Sequence, residues 1–138
     1  YQAFAACVAL TTIDFPYVAS IGDGAFAECT ALKSVDLPVV ESVGAEAFYN
    51  CTNLHALILR SETMCQMNLT AILGTKIATV EGMPTGEGFI YVPAALFEDY
   101  VANFVMQITV GLGQDEATAE YIARAVLRKI EDYPEICG

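Results

Sequence analysis

Basic residues are scarce in this chain, and their scarcity excludes several kinds of partner. Only 6 of the 138 residues are Lys or Arg, against 17 Asp and Glu, so the formal net charge is -11 at pH 7. A protein with this charge repels phosphate backbones and anionic lipid headgroups. The composition therefore predicts that nucleic acid is not a partner.

Long uncharged apolar runs are also missing, although the mean hydropathy is high at +0.47. The longest uncharged stretch in the later half begins at Tyr100 and ends before Asp115, and Glu98 and Asp99 precede it. A membrane-spanning helix needs roughly 20 apolar residues, so we expect no membrane insertion. The chain does not open on a basic segment either, and we expect any export signal or anchor to lie upstream of Tyr1.

The five cysteines contain no Cys-x-x-Cys pair, and their odd number argues against a disulfide framework or a zinc site. Cys7, Cys29 and Cys51 are instead separated by a constant 22 residues. Cysteine is among the residue types most often buried, so this spacing favours a ladder of buried thiols. Cys65 and Cys137 lie outside the ladder, and a bond between them stays open.

What the chain does contain is an internal repeat of 22 residues. The segment Phe-x-x-Cys-x-x-Leu occurs at residues 4–10, 26–32 and 48–54. The same step relates further sets of positions, namely Ile13, Val35 and Leu57; Phe15, Leu37 and Leu59; Pro16 and Pro38; Ile21 and Val43; Gly22 and Gly44; Ala25 and Ala47. The register fails after Arg60, because Thr70 would be the next Phe position and Lys76 the next Leu position. We therefore predict three stacked repeats over residues 1–61 and a capping region over residues 62–138.

Each repeat includes a short stretch of alternating apolar residues, which is typical of a strand. Parallel stacking at about 4.8 Å would turn Ile13, Val35 and Leu57 inward. The side chains between them would point outward, on the face through which repeat proteins often bind. The candidate ligand-binding residues are therefore Thr12, Asp14, Ser34, Asp36, Ala56 and Ile58. Asp14, Asp36 and Ile58 would form a mixed acidic and apolar stripe, or the aspartates simply support the following turn and solubility.

The pattern Ile-Gly-x-x-Ala-Phe-x-x-Cys-x-x-Leu-x-x-Val-x-Leu-Pro, covering residues 1 to about 61, resembles the BspA-type leucine-rich repeats of bacterial surface proteins. The resemblance implies a right-handed α/β leucine-rich-repeat solenoid with a mixed α/β C-terminal cap. It also implies a non-enzymatic module for adhesion or protein–protein interaction, secreted or at the cell surface. Its partner would be a protein or a glycan, host-derived molecules included.

The region after residue 61 shows the pattern of a strand and two helices. Residues 89–92 favour a strand, and Pro93 suits the first position of a helix. The helix would bury one apolar face, formed by Leu96, Phe97, Tyr100, Val101, Phe104 and Val105. Gly111 and Gly113 would end it, and Asp115 would cap a second helix carrying Tyr121, Ile122, Ala125 and Val126.

An extended tail with Ile130, Tyr133, Pro134 and Ile136 is expected after the second helix. The segments Ile-Tyr-Val-Pro-Ala-Ala-Leu and Glu-Asp-Tyr-Pro-Glu-Ile-Cys-Gly resemble the C-terminal sections of repeat proteins from gut bacteria and their phages. That resemblance implies an alternative function, a structural component of a phage or prophage particle. Its location would then be the particle or the cytoplasm.

No set of residues forms a catalytic, cofactor or metal signature. His55 is the only histidine, and no Gly-x-Ser-x-Gly segment accompanies it. The glycine-containing loop at residues 111–115 lacks the Lys and the Ser or Thr of a phosphate-binding loop. Glu116 with Glu120, and Glu131 with Asp132, have the spacing of solvated surfaces. We therefore expect no enzyme activity, no cofactor and no metal site.

Overall fold

The computed structural model describes residues 11–14 and 17–137. The helices and strands of this part are β1 (Thr12–Asp14), β2 (Ser20–Ile21), β3 (Ser34–Leu37), β4 (Ser42–Val43), β5 (Ala56–Leu59), β6 (Gln66–Met67), β7 (Phe89–Val92), α1 (Phe97–Leu112), α2 (Glu116–Val126), β8 (Leu127–Lys129) and α3 (Pro134–Cys137). Short 3-10 turns lie at Leu69–Ile72, Ala94–Leu96 and Ile130–Asp132.

The strands form two parallel sheets. The long sheet has the order β1-β3-β5-β7-β8, and the short sheet has the order β2-β4-β6. Within the long sheet Ile13 pairs with Val35, and Val35 pairs with Leu57. This register confirms the 22-residue step, because each strand pairs with the equivalent strand of the next repeat.

The inward side chains of both sheets share one apolar core. Val35 and Leu57 from the long sheet are fully buried, and Val43 and Met67 from the short sheet are nearly so. The rings of Phe26 and Phe48 stack with centroids 5.6 Å apart and planes 6° from parallel. The predicted stacking of the repeats is therefore confirmed at these two rings, which we call the phenylalanine column. Phe4, Phe15 and Pro16 lie outside the described residues.

The turn before each buried cysteine position uses left-handed backbone. Glu28 and Asn50 have φ values of 62° and 59°. Their N–H groups donate to the carbonyls of Tyr49 and Leu73 at 2.7 and 3.0 Å. Gly74, with φ 78°, is the next equivalent position, and a Cβ there would lie 2.3 Å from Asn50 Oδ1. A side chain at residue 74 would be strained by this φ and would also crowd the Asn50 backbone at 3.2 Å, so glycine suits the position.

The repeat register continues beyond Arg60, contrary to the expectation that it ends there. Val43 pairs with Met67, so two extra residues lie between β5 and β6 and shift the positions that follow directly by two. Ile72 therefore replaces the phenylalanine of the repeat, and Thr75 replaces the cysteine. Both are buried, at 1% and 6% exposure. We call residues 62–88, which include β6 and precede β7, the fourth turn. Its residue types differ from the repeat, while the division at residue 61 into repeats and cap stays a prediction.

The C-terminal region extends the same long sheet. β7 pairs in parallel with β5, with Leu57 opposite Ile90, which confirms the predicted strand. Pro93 has an extended ψ of 141° and precedes the 3-10 turn at Ala94–Leu96. The prediction that Pro93 occupies the first position of the helix was therefore wrong, and α1 begins at Phe97.

The two predicted helices pack against each other and are joined by a tight turn, and the predicted ends are confirmed at Gly113 and Asp115 but not at Gly111. Gly113 ends α1 in the left-handed conformation at φ 69°, whereas Gly111 lies within the helix. Asp115 precedes α2, and its carboxylate accepts a hydrogen bond from the Thr118 hydroxyl. Tyr121 on α2 is 66% exposed and faces away from the core.

No helix in the described ranges is long and apolar enough to cross a membrane.

The end of the chain differs from the predicted extended tail. β8 pairs with β7, with Leu127 opposite Ile90, and a 3-10 turn and the short helix α3 follow. Leu127 is fully buried, because β8 completes the edge that β7 would otherwise leave without a neighbour. The prediction failed because a three-residue strand carries no readable alternation.

Candidate binding face

The outward face of the long sheet carries the candidate ligand-binding residues, and its N-terminal half is polar. Thr12 is exposed on β1, and Ser34 and Asp36 are half-buried on β3. The backbone of Asp14 lies on β1, opposite Asp36, and its side chain lies outside the description. Thr12 and Ser34 are paired neighbours, so the sheet brings these polar residues together as expected.

Asp36 is held by an ion pair that the sequence analysis missed. Arg60 Nε donates to Asp36 Oδ1 at 2.8 Å, and each side chain keeps about a third of its surface exposed, 30% and 31%. Arg60 stands where the earlier repeats have proline. Arg60 therefore partly neutralises the predicted acidic and apolar stripe at Asp36. The replacement of the repeat proline by Arg60 was the signal in the sequence for this ion pair.

Ala56 and Ile58 point outward as predicted but are not exposed. Their exposed fractions are 1% and 4%, and with Tyr91 they form a second apolar cluster. Ile130 and Tyr133 from the end of the chain pack against this cluster. The expectation that Ala56 and Ile58 lie on an open outward face was wrong, because Ile130 and Tyr133 of the C-terminal segment after β8 pack against them.

Aromatic residues dominate the outward face at β7. The ring of Tyr91 meets that of Phe89 at 6.3 Å and that of Tyr133 at 5.4 Å, both edge to face. The Arg128 guanidinium carbon lies 4.1 Å from the centroid of Phe89, in cation–π geometry. Arg128 Nη1 also donates to the carbonyl oxygen of Leu127 at 2.8 Å. The outward face therefore changes from polar at β1 and β3 to aromatic and basic at β7 and β8.

The described cysteines are buried, and none of them forms a disulfide. Cys29, Cys51 and Cys65 are all less than 3% exposed. Cys51 Sγ donates to the carbonyl of Phe26 at 3.0 Å. Burial raises the pKa of Cys51 and of Cys65 to about 12, so both stay protonated and unreactive near neutral pH. The ladder is confirmed at Cys29 and Cys51, whereas Cys7 and the side chain of Cys137 lie outside the described residues.

The other candidate chemical groups do not converge. His55 is exposed, with Nδ1 3.4 Å from the Asn53 carbonyl. Arg124 binds both Glu120 and Glu98, at 3.0 and 2.8 Å, and its hydrogen bond to Glu98 lowers the pKa of that carboxyl. Glu131 accepts a hydrogen bond from the Ala94 N–H at 3.0 Å. Within residues 11–14 and 17–137 no three His, Cys, Asp or Glu residues are grouped to hold a metal ion.

A family comparison agrees with this geometry. The family model described as "BspA type Leucine rich repeat region (6 copies)" matches residues 1–85, more than half of the chain. The chain belongs to the BspA-type leucine-rich-repeat family. The match runs past Arg60 to the far side of the fourth turn, in line with the continued strand pairing. No curated protein and no solved structure matches the chain significantly.

Membership of the BspA-type family indicates a protein-binding repeat module, and such families are typically not enzymes. The BspA-type positions have clear structural roles here. The Phe positions stack, the Cys positions are buried beside them, and the Leu positions of β3 and β5 are fully buried. All of these residues build the core, whereas the outward residues of the long sheet differ from repeat to repeat.

Proposed function

We propose that this BspA-type module binds a protein or a glycan of host origin, as part of a bacterial surface or secreted protein that acts in adhesion. The observation that carries the proposal is the contrast between the two faces of the long sheet. Val35 and Leu37 on the inward face are fully buried, whereas Ser34 and Asp36 between them stay partly exposed. The inward residues are committed to the core, and the outward polar residues remain accessible to a partner.

The proposed binding face comprises Thr12, Asp14, Ser34 and Asp36, together with Arg60. Adjacent strands place equivalent side chains about 4.8 Å apart, close enough for one partner to contact several of them. The C-terminal segment covers Ala56 and Ile58, so the accessible face is bounded on that side. We therefore propose that the partner contacts the part of the face nearer to β1. The net charge of -11 favours a partner with basic or cationic groups.

We also propose an architecture for this binding module. The stacked repeats form a right-handed solenoid, and residues 62–138 act as its cap. The family match and the in-register pairing of β1, β3 and β5 support the solenoid. The continuation of the long sheet by β7 and β8 supports the capping role, since a cap protects the last apolar face and strand edge of a repeat stack.

The test is a binding screen of the full chain against host extracellular proteins and an array of host glycans. For any binder, Ser34→Arg is compared with Gln114→Arg, which adds the same charge at an exposed residue between α1 and α2. We expect Ser34→Arg to weaken binding by about tenfold or more, and Gln114→Arg to leave it unchanged. Equal effects of the two variants would place the partner elsewhere, and absence of binding across the screen would contradict the proposal.

The competing proposal is a structural component of a phage or prophage particle. It rests on the resemblance of the segments at residues 90–96 and 131–138 to phage-associated repeat proteins. The two proposals differ in the complete gene product. An export signal or anchor supports the adhesion module, whereas co-purification with tail or baseplate proteins from a gene product without an export signal supports the particle component.

A further inference from the structure

A half-open cleft of about 520 Å³ lies between the fourth turn and the helices of the C-terminal region. Its deepest residues are almost completely buried, with no more than 3% of each exposed: Ile72, Ala78, Ile108, Ile122 and Val126. Leu69 and Leu73 line its walls. The lining of this half-open cleft therefore includes a buried apolar part.

The rim of the cleft consists of large apolar side chains that face water. Met106 is 57% exposed, Val110 82% and Leu112 43%, and all three line the cleft. Aliphatic residues on an outer helix surface cost solubility unless they contact something. Their position around one opening, above a buried apolar floor, indicates a binding site for an apolar molecule.

The polar groups of the cleft are already committed to the protein. Gln107 Oε1 accepts from the Leu69 N–H at 2.8 Å, and its Nε2 donates to the Met67 carbonyl at 2.7 Å. Asn68 Oδ1 accepts from both the N–H and the hydroxyl of Thr70 at 2.9 Å. Among the residues that the structure describes, no Asp, Glu, Lys, Arg or His lines the cleft, although the chain has a net charge of -11. A ligand that depends on an ionic contact would find none here.

Gly82 shapes the mouth of the cleft. Its φ is +89°, and a Cβ at this position would lie 2.7 Å from Leu112 Cδ1. A side chain at residue 82 would thus be strained and would push Leu112 aside. Glycine lets the loop after Ala78 approach the end of α1 while the opening between them stays free.

We propose that this cleft binds a small uncharged apolar molecule, of aliphatic or aromatic hydrocarbon character. The volume lies within the roughly 300–1,000 Å³ of typical small-molecule sites, which are mostly apolar and concave. The lining offers no charged side chain to a ligand, and its mostly apolar residues suit a hydrocarbon. This proposal is independent of the outward face of the long sheet, because no residue of that face lines the cleft.

The experiment titrates the full chain with the neutral fluorescent probe N-phenyl-1-naphthylamine and, in parallel, with the anionic probe 8-anilinonaphthalene-1-sulfonate. We expect saturable binding of the neutral probe at one site per chain and weaker binding of the anionic one. Leu73→Trp fills the cleft from its wall, and Val110→Asp places a charge on its rim. Each is expected to weaken binding of the neutral probe by about tenfold or more.

The matched control is Val39→Asp, which adds the same charge at an exposed valine outside the cleft. It should leave probe binding unchanged, and thermal unfolding of each variant verifies that the fold is intact. Because Val110 is largely exposed, we expect Val110→Asp to fold, so the proposal can be tested even if Leu73→Trp does not fold. Absence of saturable binding of the neutral probe would overturn the proposal, as would equal losses from Val110→Asp and Val39→Asp.

Discussion

The repeat region and the C-terminal region build one parallel sheet in two different ways. In the repeats, β1, β3 and β5 come from similar segments, and each is followed along the chain by a strand of the short sheet. β7 and β8 are instead separated by the helical pair α1 and α2. Backbone pairing continues across the change, from Leu57 to Ile90 to Leu127. Parallel strand pairing therefore continues into a region where the 22-residue side-chain pattern has ended.

Both regions also share one apolar core, although their residues differ. Phe48 of the third repeat and Phe104 of α1 are fully buried in the same cluster. A shared core predicts that the two regions unfold together. The predictions below test where this continuity is strongest and where it ends.

The largest effect is expected for Phe48→Ala, which removes a buried ring stacked on Phe26. Loss of burial and creation of a cavity should lower the free energy of unfolding by about 3–5 kcal/mol. Urea denaturation followed by circular dichroism measures the change. Tyr17→Ala, at a residue that is 91% exposed, is the control and should change little. A loss of less than about 1 kcal/mol for Phe48→Ala would contradict the phenylalanine column.

Tyr100→Phe tests the link between α1 and the fourth turn. The Tyr100 hydroxyl accepts from the buried Cys65 N–H at 2.8 Å. Phenylalanine keeps the ring and leaves that N–H without its partner, so we expect a loss of about 1–3 kcal/mol. Tyr121→Phe, on the exposed face of α2, is the matched change and should be neutral in the same denaturation experiment. Equal stability of the Tyr100→Phe variant and the parent chain would show that this hydrogen bond does not join the regions.

The buried thiols predict a loss of stability at alkaline pH. Desolvation raises the folded-state pKa of Cys65 from 9.0 to about 12, so its contribution is complete below pH 9 and is lost as the pH rises toward 12. Between pH 9 and 10.5 the parent chain should lose about 1–2 kcal/mol more than Cys65→Ala. Urea denaturation at a series of pH values measures this difference. Parallel pH curves for the two proteins would mean that Cys65 is accessible to solvent in the folded state.

The smallest effect is expected at the left-handed turns that the repeats share. Glu46 has φ 58° and is exposed, and the side chain makes this conformation costly. Glu46→Gly should therefore raise the free energy of unfolding by up to about 1 kcal/mol. Glu41→Gly, at an exposed residue of the same repeat without positive φ, should lower it. Thermal unfolding measures both changes, and we expect them to have opposite signs. A loss of stability for both variants would show that residue 46 does not keep a positive φ in solution.

Much of the repeat region follows from its sequence, because one physical constraint recurs at a fixed spacing. Ile13, Val35 and Leu57 align by the 22-residue step alone, and the strand pairing agrees. The helices of the C-terminal region were also readable, since Tyr100, Val101 and Phe104 recur at helical spacing and are buried. In each case periodic burial of side chains leaves a periodic pattern in the sequence.

The sequence failed where structure is set by contacts between distant segments. Two extra residues before β6 hid the fourth turn, because a comparison at a fixed step reads Thr70 where Ile72 is the equivalent residue. The cover over Ala56 and Ile58 was hidden for another reason, since it comes from Ile130 and Tyr133 far along the chain. The change from Ser34 and Asp36 to Ala56 and Ile58 was the available signal, because polar outward residues become apolar where the face is covered.

Native-state amide hydrogen exchange tests the continuity of the two regions most directly. We predict that the slowest amides of β5, around Leu57, and of β7, around Ile90, exchange with the same free energy, equal to that of global unfolding. Phe48→Ala should then lower both by the same amount. If the amides of β7 exchange through a separate, cheaper opening that Phe48→Ala does not affect, the C-terminal region is an independent unit and the continuous sheet and core are contradicted.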